Sequence, residues 1–135
     1  MYKEDLSLSI VEKLKGKRFF VCLKGAKEEE IDSAQRELGL RFADEYIEYL
    51  SAFGVASFDG HELTGICDSE RLNVVAVTRR ERGTVPSLSD DLYVIEQENI
   101  DDAVIWQDAS GKIYQTLPDA QTVILCDSLS AYIDL

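Results

Sequence analysis

The chain has 135 residues, of which 45% are hydrophobic and 30% charged, a composition that excludes a wholly disordered protein and fits one domain, residues 1–135. Its 26 acidic and 14 basic residues give a net charge of −12. Because so negative a field repels phosphate groups, the charge argues against nucleic acid and anionic membranes as partners and favours a basic protein.

The first two predicted elements are short. Residues 5–14 carry apolar side chains at helical spacing and precede Gly16, so they predict a helix. The apolar residues of this helix are Leu6, Ile10 and Leu14. Residues 18–23, RFFVCL, are rich in strand formers and are followed by Gly25, which predicts a brief strand.

Two amphipathic helices are predicted next. Residues 27–39 begin with acidic side chains that suit a helix N-terminus and end at Gly39. Residues 42–53 place large apolar side chains on one face and acidic ones on the other, before Gly54. The buried faces predicted for these helices consist of Ile31, Ala34, Leu38, Phe42, Tyr46, Tyr49, Leu50 and Phe53.

The segment FDGHELTGI, residues 58–66, holds the single histidine of the chain, His61, between Asp59 and Glu62. With Asp68, these residues offer a metal one nitrogen and three carboxylates, whereas zinc sites normally recruit more histidine or cysteine. The segment is therefore interpreted as a turn leading into a strand. We predict no metal, no cofactor and no catalytic residue here, and we interpret His61 as a polar residue without suitable partners.

Residues 72–83, LNVVAVTRRERG, are ambiguous. Their β-branched residues favour a strand, but the spacing of the apolar side chains and the arginine-rich end also fit a helix. The following residues, 84–91, contain Pro86 and predict a loop.

The last third of the chain is rich in strand formers and acidic: residues 84–135 hold ten acidic residues and one basic residue, Lys112. Three strands are predicted, at residues 92–98, 103–108 and 112–118, the last two forming a hairpin. Residues 122–135 predict a brief strand and a helix capped by Asp127 or Ser128, with Leu129, Tyr132 and Ile133 on its buried face. The predicted fold class is α+β, with a mostly antiparallel sheet flanked by N-terminal helices and a C-terminal helix.

Three cysteines, Cys22, Cys67 and Cys126, stand beside apolar neighbours and lack the spacing of a disulfide framework or metal knuckle. They predict buried free thiols in a reducing compartment. Since the sequence shows neither a signal peptide nor a membrane-spanning stretch, we expect a cytoplasmic protein.

Known catalytic and nucleotide motifs are missing from the sequence. It contains no phosphate-binding glycine loop and no serine in a nucleophile elbow. Adjacent carboxylates occur at Asp90–Asp91 and Asp101–Asp102, but adjacent residues in turns point apart and are mostly solvated. These observations predict a binding protein and not an enzyme.

A family resemblance covers most of the chain. Residues 25–54 resemble the opening of the SUKH superfamily, which contains yeast cell-wall-synthesis regulators and many bacterial immunity proteins. The matching positions are Gly25, Ala26, residues 28–31, residues 38–40, Asp44, Tyr46, Leu50 and Gly54. Residues 62–66, 91–98 and 126–135 also look like that family's small strand, central strand and final helix. The resemblance implies that residues 70–82 are helical and that the chain is a single SUKH-like domain.

The resemblance also implies a function: a cytoplasmic immunity protein that binds and neutralises a basic, nuclease-type toxin domain. On this hypothesis acidic side chains contact the partner, and the candidates are Asp59, Glu62, Asp90, Asp91, Glu98, Asp101 and Asp102. Two alternatives stay open. One is a regulatory interaction module or scaffold without a toxin partner, and the other is a small hydrolase that uses His61 with a carboxylate.

Overall fold

The computed structural model describes residues 8–85, 87–98 and 100–135, and within them it contains five helices and seven strands. The helices are α1 (Ile10–Lys15), α2 (Glu28–Leu38), α3 (Asp44–Phe53), α4 (Val74–Arg82) and α5 (Leu129–Tyr132). The strands are β1 (Val21–Cys22), β2 (Ala56–Phe58), β3 (His61–Glu62), β4 (Tyr93–Gln97), β5 (Val104–Gln107), β6 (Ile113–Thr116) and β7 (Val123–Cys126). The start of the first predicted helix, with Leu6, and the loop residue Pro86 lie outside the described residues.

The strands form two antiparallel sheets, ordered β1-β2-β3 and β4-β5-β6-β7. The chain just after β3 joins them, because Leu63 pairs with Glu96 and the Thr64 N–H donates to the Ile95 carbonyl at 2.9 Å. Together with the helices, this arrangement confirms the predicted α+β class.

The helices α2 and α3 begin and end within two residues of their predicted bounds, whereas α1 begins at Ile10 and not at residue 5. Ser9 and Glu12 form a capping box at the start of α1, and Gly16 ends it. Gly39 ends α2 with a left-handed φ of 67°, the conformation that glycine adopts most readily. All the predicted buried residues of α2 and α3 are buried.

The ambiguous segment after β3 forms a helix, as the resemblance implied, although α4 begins at Val74 and not at residue 70. The side chain of Asn73 accepts hydrogen bonds from the N–H groups of Val75 and Ala76, which starts α4 despite its β-branched residues. Its arginines lie in the last turn, where positive charge suits the helix dipole.

The second hairpin and the C-terminal helix are also confirmed. β5 and β6 pair antiparallel, and the Asp108 N–H closes their turn by donating to the Lys112 carbonyl at 3.1 Å. Ser128 is the cap of α5, since its hydroxyl accepts from the Ala131 N–H. Leu129, Tyr132 and Ile133 are buried, as predicted.

A tyrosine cluster joins α3 to both sheets. The Tyr49 hydroxyl donates to the Thr64 carbonyl at 2.8 Å and accepts from the Ala56 N–H at 3.0 Å. The Tyr46 hydroxyl lies 2.9 Å from the Thr64 hydroxyl, which donates to the Val94 carbonyl. Buried polar groups in this cluster are thus matched to one another, as burial requires.

The cysteines differ from the prediction. All three are free thiols, but Cys22 is exposed and Cys67 and Cys126 are half-buried. Apolar neighbours misled the prediction because Cys22 lies in an edge strand, where one side of the backbone has no neighbouring strand in the sheet. Among the described residues, no helix has both the length and the apolar character to span a membrane.

Candidate functional site

The β2–β3 hairpin presents Asp59 at its tip. Phe58 pairs with His61, so Asp59 and Gly60 form a two-residue turn, with φ angles of 44° and 87°. Positive φ at both positions is typical of Asp-Gly hairpin turns. The predicted turn into a strand is therefore confirmed, and Asp59 is exposed there.

Glu62 is exposed but already has a cationic partner. The two terminal nitrogens of the Arg71 guanidinium, Nη1 and Nη2, donate to its carboxylate at 2.7 and 3.1 Å. The hydrogen bonds from Arg71 hold the pKa of Glu62 below its ordinary value. Glu62 therefore presents an ion pair at this surface, in which its charge is largely balanced.

A buried carboxylate, Glu96, lies behind this hairpin. Only 4% of Glu96 is exposed, and its two oxygens lie 3.1 Å from His61 Nδ1. It also accepts hydrogen bonds from the Tyr132 hydroxyl at 2.5 Å and the Glu62 N–H at 3.2 Å. The prediction that His61 lacks suitable partners is wrong.

The carboxylate orients the imidazole of His61. The ring stacks on Phe58 with a centroid distance of 5.1 Å, and 42% of the side chain is exposed. A histidine held through Nδ1 by a carboxylate can use Nε2 as an acceptor or donor toward a ligand. Within the described ranges, no group of three or more His, Cys, Asp or Glu side chains could hold a metal ion.

An acidic groove with a cavity volume of about 670 Å³ is the main candidate site. It lies between the end of α4, the β4–β5 turn and the chain after β6. Its charged lining is formed by Glu81, Glu98, Asp102 and Asp119, and no Lys or Arg occurs among its described lining residues. A smaller cavity of about 230 Å³, which includes His61, Glu62 and Glu96, shares Glu98 with the groove.

The structure brings some of the predicted acidic residues together and separates others. Glu98 and Asp102 line the acidic groove, and exposed Asp101 adjoins it in the β4–β5 turn. Asp90 and Asp91 are exposed in the loop after α4, where Asp91 lines a separate cavity of about 340 Å³.

Three acidic residues of this region were missed. Glu81 and Asp119 reach the groove from elements far apart in sequence, so no local pattern marks them. Glu96 had only a weak signal in the sequence, which is that a charged residue interrupts the apolar run of a predicted strand. In the structure this strand is covered on both faces, so the Glu96 side chain is buried.

The network around Glu96 predicts a large loss of stability when its carboxylate is removed. Glu96→Ala should lower the free energy of unfolding by about 3 kcal/mol, since the buried hydroxyl of Tyr132 and the Glu62 N–H lose their acceptor. Glu98→Ala, which removes a half-buried carboxylate two residues away, should change it by about 0.5 kcal/mol or less. Urea unfolding followed by circular dichroism measures both, and equal losses would contradict the assigned network.

Comparison with known proteins agrees with this architecture. No curated protein matched the chain. The family model SUKH_5, described as SMI1-KNR4 cell-wall, matches residues 8–134. SUKH domains generally act in protein–protein interactions. The chain belongs to the SUKH_5 (SMI1-KNR4) family.

Proposed function

We propose that the chain is an immunity protein that binds a basic, nuclease-type toxin domain and inhibits it stoichiometrically. The observation that supports this proposal best is the acidic groove. Four carboxylates line it, no Lys or Arg occurs among its described lining residues, and the whole chain carries a net charge of −12. In this proposal the protein acts in the cytoplasm by binding alone, without a cofactor or a catalytic step.

Electrostatics explains how such a groove would work. A negative cleft attracts a basic partner from a distance and raises the rate of association. At contact, lysine or arginine side chains of the toxin would enter the groove between Glu98, Asp102 and Asp119. Those same basic side chains would then be unable to hold the toxin's phosphate-bearing substrate.

Charge reversal in the groove tests the proposal. The variant Glu98→Lys, Asp102→Lys, Asp119→Lys should slow association with an inactivated toxin domain encoded beside the gene by about tenfold or more at low salt. The same variant should fail to protect cells that express the active toxin.

The matched control changes net charge equally at exposed residues that do not line the groove: Asp32→Lys, Glu37→Lys and Glu48→Lys. This control should retain protection and most of the association rate. If both triple variants bind as fast as the unmodified protein, or both lose binding equally, the groove is not the contact surface.

A regulatory scaffold is the second candidate, and the description SMI1-KNR4 cell-wall of the matching family favours it. Affinity purification from cells without any toxin gene distinguishes the two functions. If the chain is a scaffold, the unmodified protein should recover endogenous proteins that the groove variant does not recover. If it is an immunity protein, the unmodified protein and the groove variant should show no such difference.

A further inference from the structure

A second surface, opposite in charge to the groove, lies at β1. This strand is at one edge of the smaller sheet, next to β2. Phe19, Val21 and Leu23 are 73%, 63% and 52% exposed, while Phe20 turns inward against Phe53, with ring centroids 5.0 Å apart. Three large apolar side chains at alternate positions are thus presented to solvent.

The backbone holds Phe19 in an unusual conformation. Its φ is 59°, in the left-handed region that costs a bulky L-residue roughly 1–2 kcal/mol. The side chain gains no burial from this, since it lies in solvent with the Arg18 guanidinium 5.2 Å from its ring centre. Strained backbone of this kind is enriched at binding surfaces.

The chain segment that carries β1 is basic although the protein is acidic. Residues 13–27 contain six Lys or Arg residues and no Asp or Glu. Four of the six are exposed: Lys15, Arg18, Lys24 and Lys27. We call this surface, formed by the exposed apolar and basic side chains of residues 15–27, the basic edge.

The hydrogen-bond register leaves backbone groups directed outward at this edge. The Leu23 N–H donates to the Val55 carbonyl at 2.9 Å, so Leu23 faces β2. Because successive residues of a strand point their N–H and C=O groups to opposite sides, those of Cys22 point away from β2. An added strand would find both a donor and an acceptor there.

We propose that the basic edge binds an extended, acidic segment of a partner protein, which adds to β1 as a further strand. Glutamate or aspartate side chains of that segment would face the lysines and Arg18, and its apolar side chains would cover Val21 and Leu23. This site is separate from the acidic groove and does not depend on the proposed immunity function.

Charge argues against other occupants. Two copies paired through β1 would place Arg18 and Lys24 of one copy beside the same residues of the other, which is unfavourable. A bilayer or a nucleic acid is a large anionic surface and would face the field of the whole chain, with its net charge of −12. A single strand contacts only the local patch, within the screening length of about 8 Å at physiological salt.

Nuclear magnetic resonance on the ¹⁵N-labelled full chain tests the proposal with a defined probe. The probe is a capped ten-residue peptide that alternates valine and glutamate, and a peptide with lysine in place of glutamate is its control. We expect saturable shifts at residues 19–24 and 55–58 with the glutamate peptide alone. No shifts, equal shifts with both peptides, or shifts centred on the acidic groove would each overturn the proposal.

Two matched double variants distinguish peptide binding at the basic edge from nonspecific binding to exposed apolar surface. Val21→Thr with Leu23→Thr should weaken binding of the glutamate peptide about tenfold, through lost apolar contact. Val123→Thr with Ile124→Thr removes exposed apolar surface from the edge strand β7, in a region without Lys or Arg, and should leave binding unchanged. Equal effects of both variants would overturn the assignment to β1.

A lipid arm and a groove arm complete the experiment. Co-sedimentation with phosphatidylserine–phosphatidylcholine vesicles, without peptide binding, would identify the edge as a lipid site and reject the proposal. The groove variant Glu98→Lys, Asp102→Lys, Asp119→Lys should keep its peptide affinity. If the unmodified chain does not bind the peptide, the proposed strand-binding role of the basic edge is rejected. That result would not bear on the immunity proposal, which the charge-reversal experiment tests.

Discussion

Gly65→Ala is expected to lower the free energy of unfolding by at least about 3 kcal/mol, enough to unfold many domains of this size. A Cβ at Gly65 would lie 1.7 Å from the Gly54 carbonyl oxygen and 2.9 Å from Cγ2 of Val55. The backbone cannot move aside easily, because the Gly65 N–H donates to Leu72 and its carbonyl accepts from Val74, both at 2.8 Å. Urea unfolding of the variant, if it can be purified folded, measures the loss.

Gly16→Ala is the matched control for this prediction. The nearest atoms to an added Cβ there are 3.6 and 3.8 Å away, and φ is −82°, which alanine adopts without strain. This variant should be as stable as the unmodified chain or slightly more stable. Normal stability of Gly65→Ala would show that the contact between residues 54 and 65 is looser than described.

Gly65 also shows what a sequence motif can and cannot tell. It belongs to the segment ELTGI, which contributed to the resemblance to the SUKH superfamily. The sequence alone assigns no particular role to Gly65. The structure shows instead that two backbone segments meet there too closely for any side chain.

The helices were predictable because their signals are local. Periodicity, acidic first turns and terminal glycines defined α2 and α3 within a window of a dozen residues. The β5–β6 hairpin was also predictable, because a short turn joins its strands. Strand β2 was not predicted. For α4, local pattern was not sufficient, since its β-branched residues fit a strand equally well, and the family resemblance decided between the two.

The candidate sites were less predictable because they depend on contacts between distant segments. Glu96 lies 35 positions from His61 and 36 from Tyr132, so neither partner can be found by spacing. The acidic groove combines residues of α4, the β4–β5 turn and the chain after β6. The exposure of β1 depends on its place at the sheet edge, which the order of elements along the chain does not determine.

Alkaline pH is expected to unfold the protein steeply above about pH 10, the ordinary pKa of tyrosine. Burial raises the pKa of the four tyrosines that lie in the core: Tyr46, Tyr49, Tyr93 and Tyr132. For Tyr132 the nearby Glu96 charge adds to the effect of burial. A group whose pKa is raised by folding keeps its full stabilising effect below the unfolded pKa, and that effect is lost as the pH rises toward the folded pKa.

The expected slope follows from the number of buried phenols. Above about pH 10 the unfolded chain releases these protons and the folded chain retains them, so each tyrosine lowers stability by about 1.4 kcal/mol per pH unit. Four together give roughly 5 kcal/mol per pH unit, comparable with the whole stability of many domains. A protein whose tyrosines are all exposed would show no such dependence of stability on pH.

Urea unfolding at a series of pH values, with phenolate absorbance followed in parallel, measures this slope. Phenolate should appear together with the loss of circular dichroism, because the buried tyrosines ionise only on unfolding. Tyr132→Phe is the matched variant: it loses a hydrogen bond at every pH, but its slope above pH 10 should fall by about 1.4 kcal/mol per pH unit. Gradual ionisation of all tyrosines near pH 10 in a chain that keeps its circular dichroism would contradict the burial of this cluster.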